Sequence, residues 1–79
     1  MRPEQIHEDM LSFGAIRGQD ADGLTHFILR KAANFADLEY ASDGSYSLQM
    51  RVNGKTYSAD GSNMRRMARV WKQWQSEDK

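Results

Sequence analysis

The pair Asn53-Gly54 constrains this chain more than any other feature in it. Asn-Gly between alternating segments is the strongest short-range hairpin signal, because a two-residue type I′ turn needs positive φ at both central positions. The flanking residues alternate as the signal demands: Tyr46, Leu48, Met50 and Val52 fall on one side, and Ser45, Ser47, Gln49 and Arg51 on the other. The turn then fixes the register. Val52 is expected opposite Lys55, Arg51 opposite Thr56, Met50 opposite Tyr57 and Leu48 opposite Ala59. Met50, Tyr57, Leu48 and Ala59 share the inner face in that register. Ser47, Gln49, Arg51, Thr56 and Ser58 share the outer one.

A helix is expected after the second strand, capped by Asp60 or Ser62. Met64, Met67, Ala68, Trp71 and Trp74 recur at helical spacing and form its apolar stripe, and Arg65, Arg66, Arg69 and Lys72 cover the other side with no acid among them. The stripe reads as core; the alternative is a partly exposed Trp74 that anchors a partner. Glu77-Asp78-Lys79 reads as a frayed tail.

Before the hairpin the pattern reads as helical. Pro3 suits a first turn, Glu4 and Glu8 favour the positive end of the dipole, and Ile6, Met10 and Phe13 share one face of a helix over about residues 3–13. Asp20 or Asp22 can cap a second helix with Leu24, Phe27, Ile28, Lys31, Ala32 and Phe35 as its stripe and Asn34 as a left-handed stop. Asp37–Ala41 reads either as the last helical turn or as a short strand, and Ser42-Asp43-Gly44 as a turn. The expected fold is α+β: two N-terminal helices, a two- or three-stranded antiparallel sheet carrying the Asn53-Gly54 hairpin, and a C-terminal helix packed on the sheet. Residues 1–79 form one domain in this reading, with 1–19 an accessory helix and 20–76 an α-β-β(-β)-α core.

Composition narrows the function classes. The chain has 79 residues, 39% of them apolar, enough for one small core and little room for an enclosed active site. It contains no cysteine, which removes disulfides and thiolate metal sites and fits a reducing, cytoplasmic setting. No apolar run approaches the length of a membrane span, and no signal-peptide core is present. The net charge is zero, but residues 1–40 carry four basic groups against seven acidic ones and residues 41–79 carry seven against four. Such asymmetry points to a charged partner, whereas the zero total argues against strong non-specific nucleic-acid binding.

Catalytic chemistry finds no support. His7 and His26 are the two histidines, each expected as a solvated helix residue, and neither has the three or four converging ligands of a metal site at sequence spacing. The serines sit in turns and strands, and the glycines never form a phosphate-binding loop. No enzymatic activity, cofactor, metal or small-molecule substrate is expected. The candidate site is therefore the arginine face. A solvated face accounts for it. Phosphate contact from Arg65, Arg66, Arg69 and Lys72 is the functional alternative, with Arg51 and Gln49 extending the patch or reading base edges.

Two families share motifs with this half of the chain. Val52-Asn53-Gly54, Gly61-Ser62, Arg65-Arg66, Ala68 and Arg69 resemble the end of the double-stranded RNA-binding domain. That resemblance implies an α-β-β-β-α fold and phosphate contacts from Arg65, Arg66 and Arg69. Gly44, Tyr46, Asn53-Gly54-Lys55, Tyr57-Ser58 and Trp71 are similar to the β-β-β-α arm-binding domain of phage-type integrases and to plant AP2 domains. This second resemblance implies that Ser47, Gln49, Arg51 and Thr56 face the major groove. The expected partner is RNA or DNA, or else a host protein complex blocked by a small phage- or mobile-element-type inhibitor.

Overall fold

The computed structural model describes residues 3–77. Helix α1 (Pro3–Ser12) is followed by five strands, β1 (Ile16–Gln19), β2 (Thr25–Lys31), β3 (Asn34–Tyr40), β4 (Tyr46–Val52) and β5 (Lys55–Gly61), and by helix α2 (Met64–Glu77). The strands form one antiparallel sheet in the order β1-β2-β3-β4-β5, each paired with its sequence neighbour. The architecture is α+β, but with one N-terminal helix and five strands rather than two helices and two or three strands.

The correction lies in residues 16–40. The second helix expected between Asp20 and Asn34 is replaced by the β1–β2 turn, by β2 and by the start of β3, and residues 16–19 before it form β1. Phe27 and Leu29 point inward and are buried, whereas His26, Ile28 and Arg30 alternate outward. Asp20 does not cap a helix. Its Oδ1 accepts the backbone N–H groups of Asp22 and Leu24 at 2.9 and 3.0 Å and closes the β1–β2 turn. The same side-chain chemistry serves a cap or a turn, which is why the sequence reads either way. Lys31 pairs with Asn34 across a turn at Ala32-Ala33, so Asn34 begins a strand instead of stopping a helix. Asp37–Ala41, which reads as either a helix end or a strand, lies in β3 through Tyr40.

The hairpin register is as expected: Val52 pairs with Lys55, Arg51 with Thr56, Met50 with Tyr57 and Leu48 with Ala59. Asn53 and Gly54 take φ of 52° and 81°, the pair of positive values that a type I′ turn requires. The turn at 41–45 also forms; Asp43 accepts the N–H and hydroxyl of Ser45 there.

Both helices pack on one face of the sheet. Rows of inward side chains run across the strands, such as Phe27, Leu38, Leu48 and Ala59, and they meet Ile6 and Met10 from α1 and Met67, Ala68, Trp71 and Trp74 from α2. Each buried Leu, Ile, Phe or Met side chain among these contributes about 1.5–3 kcal/mol. Trp74 is completely buried, so it is core and not an exposed anchor. Trp71 and Trp74 stack with ring centres 6.0 Å apart, and Phe13 meets Trp71 edge-on. Glu77 ends α2 in an ordered contact: its carbonyl accepts from the Asn53 amide at 2.8 Å, and its carboxylate pairs with Lys55. Asp78 and Lys79, the rest of the expected frayed tail, lie outside the described residues, as does the side chain of Glu4.

Candidate nucleic-acid interface

Helix α2 begins at neither Asp60 nor Ser62. Asn63 is the cap: its side-chain oxygen accepts the N–H of Arg65 at 3.1 Å and of Arg66 at 3.4 Å. That start sets the helical phase, turning Met67, Ala68, Trp71 and Trp74 onto the sheet and leaving Arg65, Arg66, Arg69 and Lys72 exposed. Arg65, Arg69 and Lys72 border one shallow depression of about 260 Å³ with Ala68 at its floor. Arg66 borders a different one, beside Ser47, Gln49, Ser58 and Asp60 of β4 and β5.

Among the described residues, none of these four cations lies within ion-pair distance of a carboxylate. Arg65 and Arg69 are four positions apart, and Arg66–Arg69 and Arg69–Lys72 are three apart. Each such like-charged pair costs a few tenths of a kcal/mol on an isolated helix. Arg65 and Arg66 also occupy the first turn, the positive end of the helix dipole. An anion on this face would relieve both effects.

The other two predicted site residues are on the sheet, and Gln49 borders the same depression as Arg66. Gln49 and Arg51 are exposed on the face of the sheet opposite α2. The predicted set therefore spreads over three places: Arg65, Arg69 and Lys72 share one depression on α2, Arg66 and Gln49 border another between α2 and the sheet, and Arg51 lies on the outer sheet face. The uncovered sheet face carries Gln49, Arg51, Thr56 and Ser58, as the sequence places them, beside residues it does not place there: Ile16, Ile28, Arg30, Phe35 and Asp37. Arg30, Phe35, Arg51 and Thr56 form one row across it, and Ile16, Ile28, Asp37, Gln49 and Ser58 the next. Ile16, Ile28 and Phe35 are exposed there, Ile16 to 75%. The two-residue period of Thr25–Lys31 is the signal that would have placed them.

The histidines also differ from expectation. His7 is not simply solvated: it stacks on Phe27 at 4.3 Å and meets Tyr40 edge-on at 4.9 Å. It lines a cleft of about 470 Å³ between α1 and the β1–β2 hairpin, bordered also by Arg17, Gln19, Thr25 and Ser42. That volume falls within the usual range for ligand pockets and is larger than expected for so short a chain. His26 sits on β2, with Nε2 2.8 Å from Asp20 Oδ2. This hydrogen bond raises the pKa of His26 and lowers that of Asp20.

Among the described residues, no helix is long and apolar enough to cross a membrane. Comparison with protein-family models, with curated proteins and with solved structures returns no match for this chain.

Proposed function

We propose that this chain is a small non-enzymatic binding domain that contacts the phosphates of RNA or DNA through α2. The observation that carries the reading is the set of four exposed cations, Arg65, Arg66, Arg69 and Lys72, with no carboxylate partner among the described residues. Arg65, Arg69 and Lys72 share one depression and are the main contacts, with Arg66 at the margin. Phosphate contacts position a protein on nucleic acid without reading sequence, so binding is expected to be weakly specific and strongly salt-dependent.

Titration against duplex RNA and duplex DNA at ~50 and ~200 mM salt tests the reading. Four phosphate contacts give a slope of about −3 to −4 in log K against log salt, and Arg65→Ala with Arg69→Ala reduces it by about 2. Absence of binding at the lower salt, or a slope unchanged by the substitutions, sinks the proposal.

A second reading rests on the opposite face. Ile16, Ile28 and Phe35 expose apolar surface on a sheet face that neither helix covers, and such a face suits an interaction module that occludes part of a larger protein complex. A partner retained after nuclease treatment and lost in Phe35→Ala, but kept in the α2 arginine variants, would favour this reading over the first.

A further inference from the structure

We propose that His26, Asp37 and Glu39 form a binding site for a divalent transition-metal cation of the zinc class on the uncovered sheet face, with Asp20 as the residue that positions His26. This site is separate from the arginine face of α2 and does not depend on the nucleic-acid reading.

The β2–β3 register builds it. His26 pairs directly with Glu39, and Asp37 lies two residues along β3 on the same face. One ligand atom from each of the three lies within 4.8 Å of the others. His26 Nδ1 is 3.6 Å from Asp37 Oδ1. Two ligands on a tetrahedral ion with bonds of about 2.1 Å stand about 3.4 Å apart, so this pair is already close to bridging distance.

The remaining nitrogen of His26 is committed elsewhere. Nε2 is 2.8 Å from Asp20 Oδ2, while Asp20 Oδ1 is held by the backbone N–H groups of Asp22 and Leu24. Donation of Nε2–H to Asp20 leaves the neutral ring with its lone pair on Nδ1, facing Asp37. A carboxylate behind a histidine is the usual support of a metal-ligating imidazole, fixing both tautomer and ring orientation. The Asp37 side chain is 35% exposed, but the oxygen that faces His26 is not. Its Oδ1 is shielded from solvent and accepts no hydrogen bond from the described residues, and an acceptor in that state is costly unless something donates to it or coordinates it. Three carboxylates surround one imidazole, and neither Asp37 nor Glu39 has a lysine or arginine partner among the described ion pairs.

The donor set selects the metal. One imidazole nitrogen with two carboxylates suits zinc and its first-row neighbours, whereas magnesium and calcium prefer all-oxygen shells. With three protein ligands on an open face, solvent would complete the coordination.

Isothermal titration of the EDTA-treated full chain with zinc chloride at pH 8 tests the proposal. One equivalent is expected to bind, with His26 the histidine whose ring resonances shift. Asp37→Asn and Glu39→Gln, which keep side-chain shape, should each weaken binding at least tenfold, and Asp20→Asn by about 10–100-fold. Asp43→Asn, in another turn, should change nothing, and circular dichroism checks that each variant keeps its fold. The proposal is overturned if no zinc binds below ~1 mM, if Asp37→Asn and Glu39→Gln bind as the parent does, if His7→Gln and not His26→Gln removes binding, or if magnesium binds as tightly as zinc.

Discussion

Trp71 donates its indole N–H to the Asp9 carboxylate at 2.5 Å, joining α2 to α1 across 62 positions of sequence. Gln75 donates to the same oxygen from one helical turn further on. The indole is buried, so removal of Asp9 takes away the acceptor of its N–H. Asp9→Ala should destabilise the chain by about 1–3 kcal/mol. A thermal midpoint lower by roughly 4–8 °C per kcal/mol is the expected readout for a domain of this size. An unchanged midpoint would show that the helices dock without this contact.

Ala32 has φ of 55° in the β2–β3 turn, a left-handed value at a residue with a Cβ. That conformation costs an alanine about 1–2 kcal/mol, and glycine avoids the cost while giving back part of it as unfolded-state entropy. Ala32→Gly is therefore expected to stabilise the protein by about 0.5–1 kcal/mol, measured by urea denaturation. The same replacement at Ala33, which lacks a positive φ, should not help.

Asn63 caps α2 and places the arginine face. Asn63→Ala should cost about 1 kcal/mol, and Asn63→Asp should retain the cap and set a negative charge beside Arg65 and Arg66. If the proposed function holds, Asn63→Asp keeps stability but weakens nucleic-acid binding, a separation visible by comparing melts with the salt titration.

Tyr46 is buried and donates its hydroxyl to the Asn63 carbonyl at 2.5 Å. Burial holds its pKa above the ordinary tyrosine value, against an opposing pull from Arg66. The folded state thus favours the neutral phenol. Its contribution is fully present below the unfolded pKa of about 10 and is lost as pH rises through the higher folded value. The phenolate absorbance that disappears in Tyr46→Phe should have a midpoint above 10, and the parent should lose thermal stability above that pH more steeply than the variant does. A midpoint at or below 10 would contradict the buried placement.

What the sequence made legible depended on whether one period dominated. In α2 the apolar residues fit only a helical repeat, and around Asn53-Gly54 the alternation is clean, so the register, the buried stripe and the exposed arginines could all be placed. Residues 24–35 satisfy two periods at once. Leu24, Phe27, Ile28, Lys31 and Phe35 fit a helix, yet Phe27 and Leu29 against His26, Ile28 and Arg30 fit a strand, and short apolar segments do not decide between the two. The turn that would settle it is Ala32-Ala33, where alanine favours a helix and no glycine or asparagine marks the bend. With β2 hidden, so was everything built on its pairing: the exposed row around Phe35 and the cluster of His26, Asp37 and Glu39. The caps failed for a smaller reason, since Asp60, Ser62 and Asn63 are all competent and only geometry selects one.

The neighbour-by-neighbour strand order also dictates a sequence of events. Every strand pairing closes a short loop, so the hairpins can form early and at little entropic cost. Docking of α2 against α1 is expected to follow formation of the sheet on which both pack, with the Trp71–Asp9 contact among the last to form. Substitution at Asp9 should accordingly speed unfolding while leaving the refolding rate nearly unchanged, whereas truncation of Leu48, in the middle of the sheet, should slow refolding itself.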